Sequence, residues 1–563
     1  MEELQGEAGQ FSGVVAPQDK TYPRVAQAIT GQTGAIADLA MGRRPRGREN
    51  IMKAAHGPVS QVIAVRGRAF SPLRTGAIIV TALLGVSVPG AVAAQSAGAA
   101  TLNVCMQGCP YSEIQPAINA AKPGDTIDVG TGTYTGGLVI SVRITLSGQG
   151  PGSTIISGGG PVITVSAKTV TVSNVSVTGG NTSSSSSDGG GILNSANLTL
   201  TDDTIQHNVS GGNGGGVANE GGGSLTMHQV TVANNSAAGD GGGIANLGGT
   251  AQVTASTIED DTATGYGGGV ANEFADSDAA SLTLTSDDVM GNSATDDGGG
   301  IANEGVPHAN DLATLTLSSS TLSGNSAGGQ GGGIAISGLG ATASLSGTTV
   351  DNNTASIDGG GIAVTLGGTL VMANGDVNQN TVPSAGGGTG GGIEVDGVPQ
   401  HYSSNATISG TSINGNAAYD GGGVELGGNG IVTLKNDTLN ADWASDAGGG
   451  IVTYRFSQLT MGDTSVTHNS SAGDGGGIWN DATGCGEVPA CAVLTNDNVD
   501  ANVAAGSGGG VMNYGTMSLD KSTSVSQNRA SAGGGIDVAG GSVALNGATV
   551  TGNIPDNCVP VDC

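Results

Sequence analysis

The sequence predicts an all-β fold, a single-stranded parallel β-helix or solenoid of about 15 coils stacked about 4.8 Å apart. Three observations predict it. Gly-Gly-Gly followed by Ile or Val occurs thirteen times, ending at Ile192, Val217, Ile244, Val270, Ile301, Ile334, Ile362, Ile393, Val424, Ile451, Ile478, Val511 and Ile536. An aliphatic residue, two spacers and then Asn or Asp occur thirteen times in alternation with it, ending at Asn208, Asn235, Asp261, Asn292, Asn325, Asn353, Asn380, Asn416, Asp442, Asn469, Asn502, Asn528 and Asn553. Between the two motifs run alternating segments such as Leu-Thr-Leu at 198–200, 282–284 and 315–317. The repeat averages about 29 residues, and a fixed period of that size marks a stacked array.

Each element follows from these patterns. Apolar residues alternating with Thr or Ser make short strands with one buried face. No long segment of helical period interrupts them, so a unit holds two or three strands and cannot bury its apolar face alone; stacked copies can. Asn at one corner tolerates left-handed backbone angles, and its amide can bond to the Asn above and below. Gly-Gly-Gly permits a sharp corner where a side chain would strike the neighbouring coil. A glycine-rich linker does not explain the chain's 105 glycines, because linkers do not hold the period and register of the thirteen triplets.

Residues 1–97 read as a non-structural leader. Arg66, Arg68 and Arg74 precede the apolar stretch 76–94, and small residues follow it, which is the pattern of a secretory signal over about 66–97. Residues 98–125 read as an N-terminal cap. Ile114, Ala117, Ile118 and Ala121 form one helical stripe, with Ser112 and Gln115 at capping-box spacing. Residues 126–553 form the β-helix, and 554–563 a C-terminal disulfide cap. The six cysteines fall in three close pairs, Cys105/Cys109, Cys485/Cys491 and Cys558/Cys563, which fit disulfides in an oxidising compartment better than zinc ligation.

The stretch Tyr111–Ile140 (YSEIQPAINAAKPGDTIDVGTGTYTGGLVI) resembles the opening of bacterial right-handed β-helix proteins of the pectin-lyase-like superfamily. The repeats resemble those of polymorphic outer membrane proteins, with Gly in place of Ala and an aliphatic residue in place of Phe. Together the resemblances cover about 104–553 and imply a right-handed helix. Members of the second family end in a membrane barrel, which this sequence does not show. Polygalacturonases of the superfamily carry Asn-Thr-Asp, Asp-Asp, Gly-His-Gly and Arg-Ile-Lys. Here Asp-Asp occurs at 202–203, 260–261, 287–288 and 296–297, but Gly-His-Gly and Arg-Ile-Lys are missing.

The formal charge is −29, and residues 98–563 hold seven Lys and Arg. That balance excludes nucleic acid and anionic membranes as partners. Long insertions share one place in the repeat, after Gly-Gly-Gly-[Ile/Val], at 272–280, 303–313, 394–405 and 480–491. Insertions on one face of a solenoid carry binding. With their neighbour after Ile451 they hold Phe274, His308, His401, Tyr402, Tyr454, Arg455 and Phe456, with Trp479 beside the last loop, and these are the candidate ligand-binding residues.

Asp188, Asp240, Asp297, Asp358, Asp420 and Asp474 precede Gly-Gly-Gly in six copies. Carboxylates at one corner are candidate calcium ligands, with solvated turn residues as the competing reading. No other cofactor is expected. The reading is a secreted or cell-surface protein, monomeric, with no membrane span after signal removal. It binds a polysaccharide or a host or cell-surface component, adhesin-like and without catalysis. A polysaccharide lyase or glycosidase on the same fold is the alternative, and a passive structural rod the third reading.

Overall fold

A computed structural model describes residues 98–560, apart from 276–277, 306–311, 400 and 486–489. The leader and signal expectations, His308 and Cys563 lie outside the described residues. The described chain is a right-handed parallel β-helix of about 16 turns, three long sheets wound around one apolar core. Sheet 1 has 17 strands, from Thr101–Val104 to Ser542–Ala544, while sheet 2 has 16, from Gly132–Thr135 to Thr549–Thr551. Sheet 3 also has 16, from Leu138–Ile140 to Cys558–Val559. All the pairings within these sheets are parallel and join one coil to the next, as Val232 to Ile258 and Ile258 to Val289.

One coil shows how the sequence makes the path. Thr250–Thr254 lies in sheet 1, with Ala251 and Val253 turned into the core. Ala255 takes φ 51° and turns the chain into Thr257–Glu259 of sheet 2. Asp260, at φ 53°, makes the next corner, and Thr262–Ala263 forms a short strand of a fourth, interrupted sheet. Gly267–Gly269 then turns the chain into Val270–Glu273 of sheet 3. Val253, Ile258 and Val270 are at most 1% exposed, and each such side chain contributes about 1.5–3 kcal/mol of transfer free energy.

The glycine corner is required at every copy. The first glycine of all thirteen triplets has positive φ, from 53° to 70°. At Gly267 an added Cβ would sit 2.3 Å from the carbonyl oxygen of Val270, and at Gly268 it would sit 2.4 Å from that of Gly299 in the next coil. The left-handed corner beside the ladder differs from expectation. It falls one residue before the ladder Asn or Asp, at His207, Asn234, Asp260, Asn352, Gln379, Ala441, His468, Ala501 and Gln527. The ladder residue itself points inward, where its side-chain oxygen accepts the backbone N–H of the ladder residue one coil earlier.

Two amide ladders run inside the coil. In the expected one, Asn208 donates through Nδ2 to Asn235 Oδ1 in the next coil at 3.0 Å and to the Val177 carbonyl at 3.1 Å. The same scheme recurs through Asn325, Asn353, Asn380 and Asn416 to Asn553. A second ladder at the end of sheet 3 joins Asn194, Asn219, Asn246, Asn272 and Asn303, each bond 2.7 Å long. The Asp-Asp pairs also serve the backbone. Asp203, Asp261, Asp287 and Asp297 accept N–H groups from Val175, Asn235, Ser256 and Gln330 of adjacent coils.

At the N-terminal end a seven-residue helix, Ile114–Ala120, buries Ile114, Ala117 and Ile118. The expected capping box does not form: the N-cap is Glu113, and no side chain caps it. Gln115 instead lies across the edge of sheet 3, accepting from Val139 N–H at 2.8 Å and donating to Val139 C=O at 3.2 Å. Cys105–Cys109 and Cys485–Cys491 are disulfides, and Cys558 is disulfide-bonded. Cys558–Val559 also adds the last strand of sheet 3 beside Ile536–Asp537. Among the described residues no helix is long and apolar enough to cross a membrane.

Candidate functional site

The outer face of sheet 3 is where the unusual chemistry collects. In each of its strands the first and third residues enter the core and the second and fourth point outward, as alternation requires. In the coils from Ile244 to Ile362 the second residue is Ala245, Ala271, Ala302, Ala335 and Ala363. These alanines are at most 2% exposed although they face outward. The cause is the glycine corner, which folds back over them: a Cβ on Gly359 would lie 2.7 Å from the Ala363 Cβ. The corner is therefore a ridge that covers the alanine column of this face.

Acidic side chains take outward positions on the same sheet. The second-position alanine is replaced by Glu394 and Glu425, which are register partners in adjacent coils. They are 3% and 4% exposed. Glu394 Oε1 accepts from Gln330 Nε2 at 3.2 Å, and its Oε2 has no hydrogen-bond partner. The fourth outward position carries Glu273 and Glu304, also register partners, and Asp396. Glu273 Oε1 is buried with no hydrogen-bond partner.

Burial raises the Glu394 pKa well above the usual carboxylate range, and the carboxylates of Asp358, Glu425, Asp396 and Asp297 push it further the same way. Burial likewise raises Glu273 and Glu304, with Asp240 and Asp188 acting on the first and Glu273, Asp297 and Asp240 on the second. Asp396 is raised to about 7, by burial and then by Asp358.

The six expected calcium-corner aspartates form the ridge. Asp188, Asp297, Asp358, Asp420 and Asp474 accept, through Oδ1, the N–H of Asn213, Gln330, Thr389, Ala447 and Ser507 in the next coil, at 2.6–2.9 Å. Asp240 accepts from Tyr266 in the same way at 2.8 Å. Each thereby pins one glycine corner to the next. Among the described residues no group of three or more His, Cys, Asp or Glu is placed to hold a metal ion.

Beyond Glu425 the face turns aromatic. Tyr454 packs edge-on against Trp479 at 5.6 Å, and Trp479 meets Tyr514 at 5.7 Å. Tyr454 donates its hydroxyl to Asp420 Oδ2 at 2.7 Å, reaching from the strand end to the ridge. Arg455 is 3.7 Å from Asp481 and its side chain is 60% exposed. Of the sequence-selected residues, Tyr454, Arg455 and Trp479 come together here. Phe456 packs instead toward Gly484 of the 480–491 loop. His401 and Tyr402 lie side by side in an exposed turn, with ring centres 6.2 Å apart, and Phe274 is half-buried in an earlier coil. The insertions share one corner: their strands end in sheet 3 and resume in sheet 1.

Sequence reasoning missed Tyr514, Glu273, Glu304, Glu394, Asp396 and Glu425. Glutamate directly after the run of alanines that ends at Ala363 was the available signal for Glu394 and Glu425. It also missed Trp443, 42% exposed on the fourth, short sheet, directly after a ladder residue.

A family model described as right handed beta helix region matches residues 308–461. No curated protein matches the chain. Among solved structures, ORF18 of Geobacillus virus E2 is similar at 13% identity, covering 60% of this chain and 59% of its own, with a TM-score of 0.31. The chain thus spans about three-fifths of that viral protein's length. The A-module of the mannuronan C-5 epimerase AlgE6 of Azotobacter vinelandii is similar at 12% identity, 80% and 96% coverage and a TM-score of 0.25. The catalytic unit of a GH87 alpha-1,3-glucanase from Streptomyces thermodiastaticus strain HF3-3 is similar at 17% identity, 70% and 71% coverage and a TM-score of 0.27.

Proposed function

We propose that this right-handed parallel β-helix is an extracellular glycan-binding protein whose outer sheet 3 face takes an extended, non-acidic sugar chain. The observation that carries the reading is the aromatic cluster on that face. Tyr454, Trp479 and Tyr514 form it at the C-terminal side, beyond the register pair Glu394 and Glu425. Aromatic faces cover the apolar side of a sugar ring, and acids bond its polar edge. An acidic polymer is disfavoured: of the seven Lys and Arg in residues 98–563, Arg455 alone stands at the end of a sheet 3 strand, and it faces Asp481. The disulfides support an oxidising, extracellular setting, and the export signal read over 66–97 supports secretion.

The test is a glycan-array screen with the full chain and with W479A, with released sugar assayed in the same wells. Binding to neutral or amino-sugar oligomers that falls at least tenfold in W479A, without product, supports the reading. A preference for uronic-acid oligomers, or binding indifferent to W479A, removes it. Released product moves the function to the glycosidase reading, with Glu394 and Glu425 as the carboxyl pair to substitute.

A further inference from the structure

The outer face of sheet 1 differs in its chemistry from the rest of the rod. Core and outward residues alternate along each strand, and the one-coil pairings set the outward residues in columns. One column runs through thirteen coils from Thr126 to Thr460. Ten of its thirteen residues are Thr, among them Thr199, Thr226, Thr283, Thr316, Thr407 and Thr433, so the column is a row of hydroxyls. Thr254, Thr285 and Ser318 continue the pattern on one side, and Thr250, Thr314 and Thr342 on the other. None of these residues is buried.

Charge is excluded from the same face. Residues 98–563 hold 40 Asp and Glu, yet the fifteen sheet 1 strands from Thr145–Ser147 to Ser542–Ala544 contain none. Strand propensity favours Thr on any pleated face, but it does not remove acids. The outward positions of sheet 2 carry Glu259, Asp288, Asp351 and Asp376 in coils of the same stack. The fifteen strands also contain no Phe, Tyr or Trp, so the face lacks the ring on which a sugar would stack.

We infer that the outer face of sheet 1 binds ice. Water molecules joined tetrahedrally by hydrogen bonds of about 2.75 Å have second neighbours about 4.5 Å apart, and hexagonal ice built from them repeats about every 7.3 Å along its axis. On sheet 1 a hydroxyl recurs about every 4.8 Å along a column and about every 6.7 Å from one column to the next. Both repeats fall within about a tenth of the lattice, so hydroxyls from several coils occupy water positions of one crystal plane together. The methyl beside each Thr hydroxyl adds apolar contact with that plane. A carboxylate would bring a hydration shell for which the lattice has no place, which accounts for the missing acids. The inference concerns a different sheet from the glycan reading and does not depend on it.

The experiment measures inhibition of ice recrystallisation and uptake of the full chain into a slowly grown ice crystal. The wild type is compared with T316K, T316V and, as a control on the outer face of sheet 2, T321K. Circular-dichroism melts establish which variants fold. The wild type is expected to inhibit recrystallisation and to enter the ice. T316K raises the concentration needed at least tenfold, T316V raises it severalfold, and T321K leaves it unchanged. If T316K does not fold, T316V, which removes only the hydroxyl, decides.

A wild type without ice activity overturns the inference. Activity retained in T316K and T316V overturns it too, as does activity lost equally in T321K, because a charge anywhere on the rod then suffices. Association of the wild type that T316K abolishes, without ice activity, makes the face a contact between copies of the chain and also overturns it.

Discussion

Asp261 and Asp442 occupy places in the first ladder where other coils carry Asn, and the difference is one atom each. In Asn235 and Asn292 the Nδ2 donates to a carbonyl of the preceding coil, Ile205 and Ile258 respectively. Asp261 Oδ2 and Asp442 Oδ2 take that place with no hydrogen-bond partner. Only the protonated acid reproduces the amide's donor. Burial raises Asp261 from 3.8 to about 8, and Asp442 well above the usual range, against the pull of bonds from Asn235 and Asn416. The sign follows. Between about pH 4 and 8 the folded state keeps a proton on Asp261 that the unfolded state has lost. Stability therefore falls as pH rises, by at most about 1.4 kcal/mol per unit from this group. We expect D261N and D442N to raise the urea midpoint at pH 8 clearly more than at pH 5. Equal shifts at the two pH values would show that neither acid carries the proton.

At the scale of the element, the corners decide what is tolerated. Ala441 sits at φ 57° in a corner that other coils fill with Gly291, Gly324 and Gly415. A left-handed non-glycine residue costs about 1–2 kcal/mol, so A441G is expected to raise the denaturation midpoint, by roughly 0.5–1 kcal/mol after glycine's greater unfolded-state freedom is counted. The reverse change at the ridge, G267A, brings a methyl within 2.3 Å of the Val270 carbonyl in a left-handed position. It is expected to cost more than about 2 kcal/mol and to speed amide hydrogen exchange in the two adjoining coils, with distant coils unchanged.

These corners also explain what was legible beforehand. Gly-Gly-Gly and the ladder Asn are enforced by backbone geometry in every coil, so they stand out as a period. The candidate site is built from departures, and Glu394 and Glu425 break the alanine column without disturbing the repeat. Tyr514 is invisible for another reason: no long insertion marks its coil, and only the register places it beside Trp479. The one-residue displacement of the left-handed corner was hidden because His, Gln and Ala occupy it as well as Asn.

For the whole molecule the open ends matter most, because a parallel stack presents unpaired backbone groups at both. Gln115 occupies the N–H and C=O of Val139 at the N-terminal edge of sheet 3. Q115A leaves both groups exposed while the apolar anchors Ile114, Ala117 and Ile118 remain. The expected outcome is an unchanged circular-dichroism spectrum with concentration-dependent growth of oligomers in light scattering. A strictly monomeric Q115A would show that the helix body, rather than the glutamine amide, protects the edge.

The one-coil offset of the sheet pairings has a kinetic meaning. Contacts such as Thr257 with Asp288 and Val499 with Val525 close loops of similar, modest length, wherever they lie in the chain. A closure of that size costs about 3 kcal/mol of chain entropy plus a constant, and it recurs coil after coil without growing. Sheets of this breadth usually require distant segments to find one another, which slows folding. Here each new coil needs only the one just formed as its template. The chain can therefore wind up progressively from its first coil as it is delivered, with no stage at which the far end must be present.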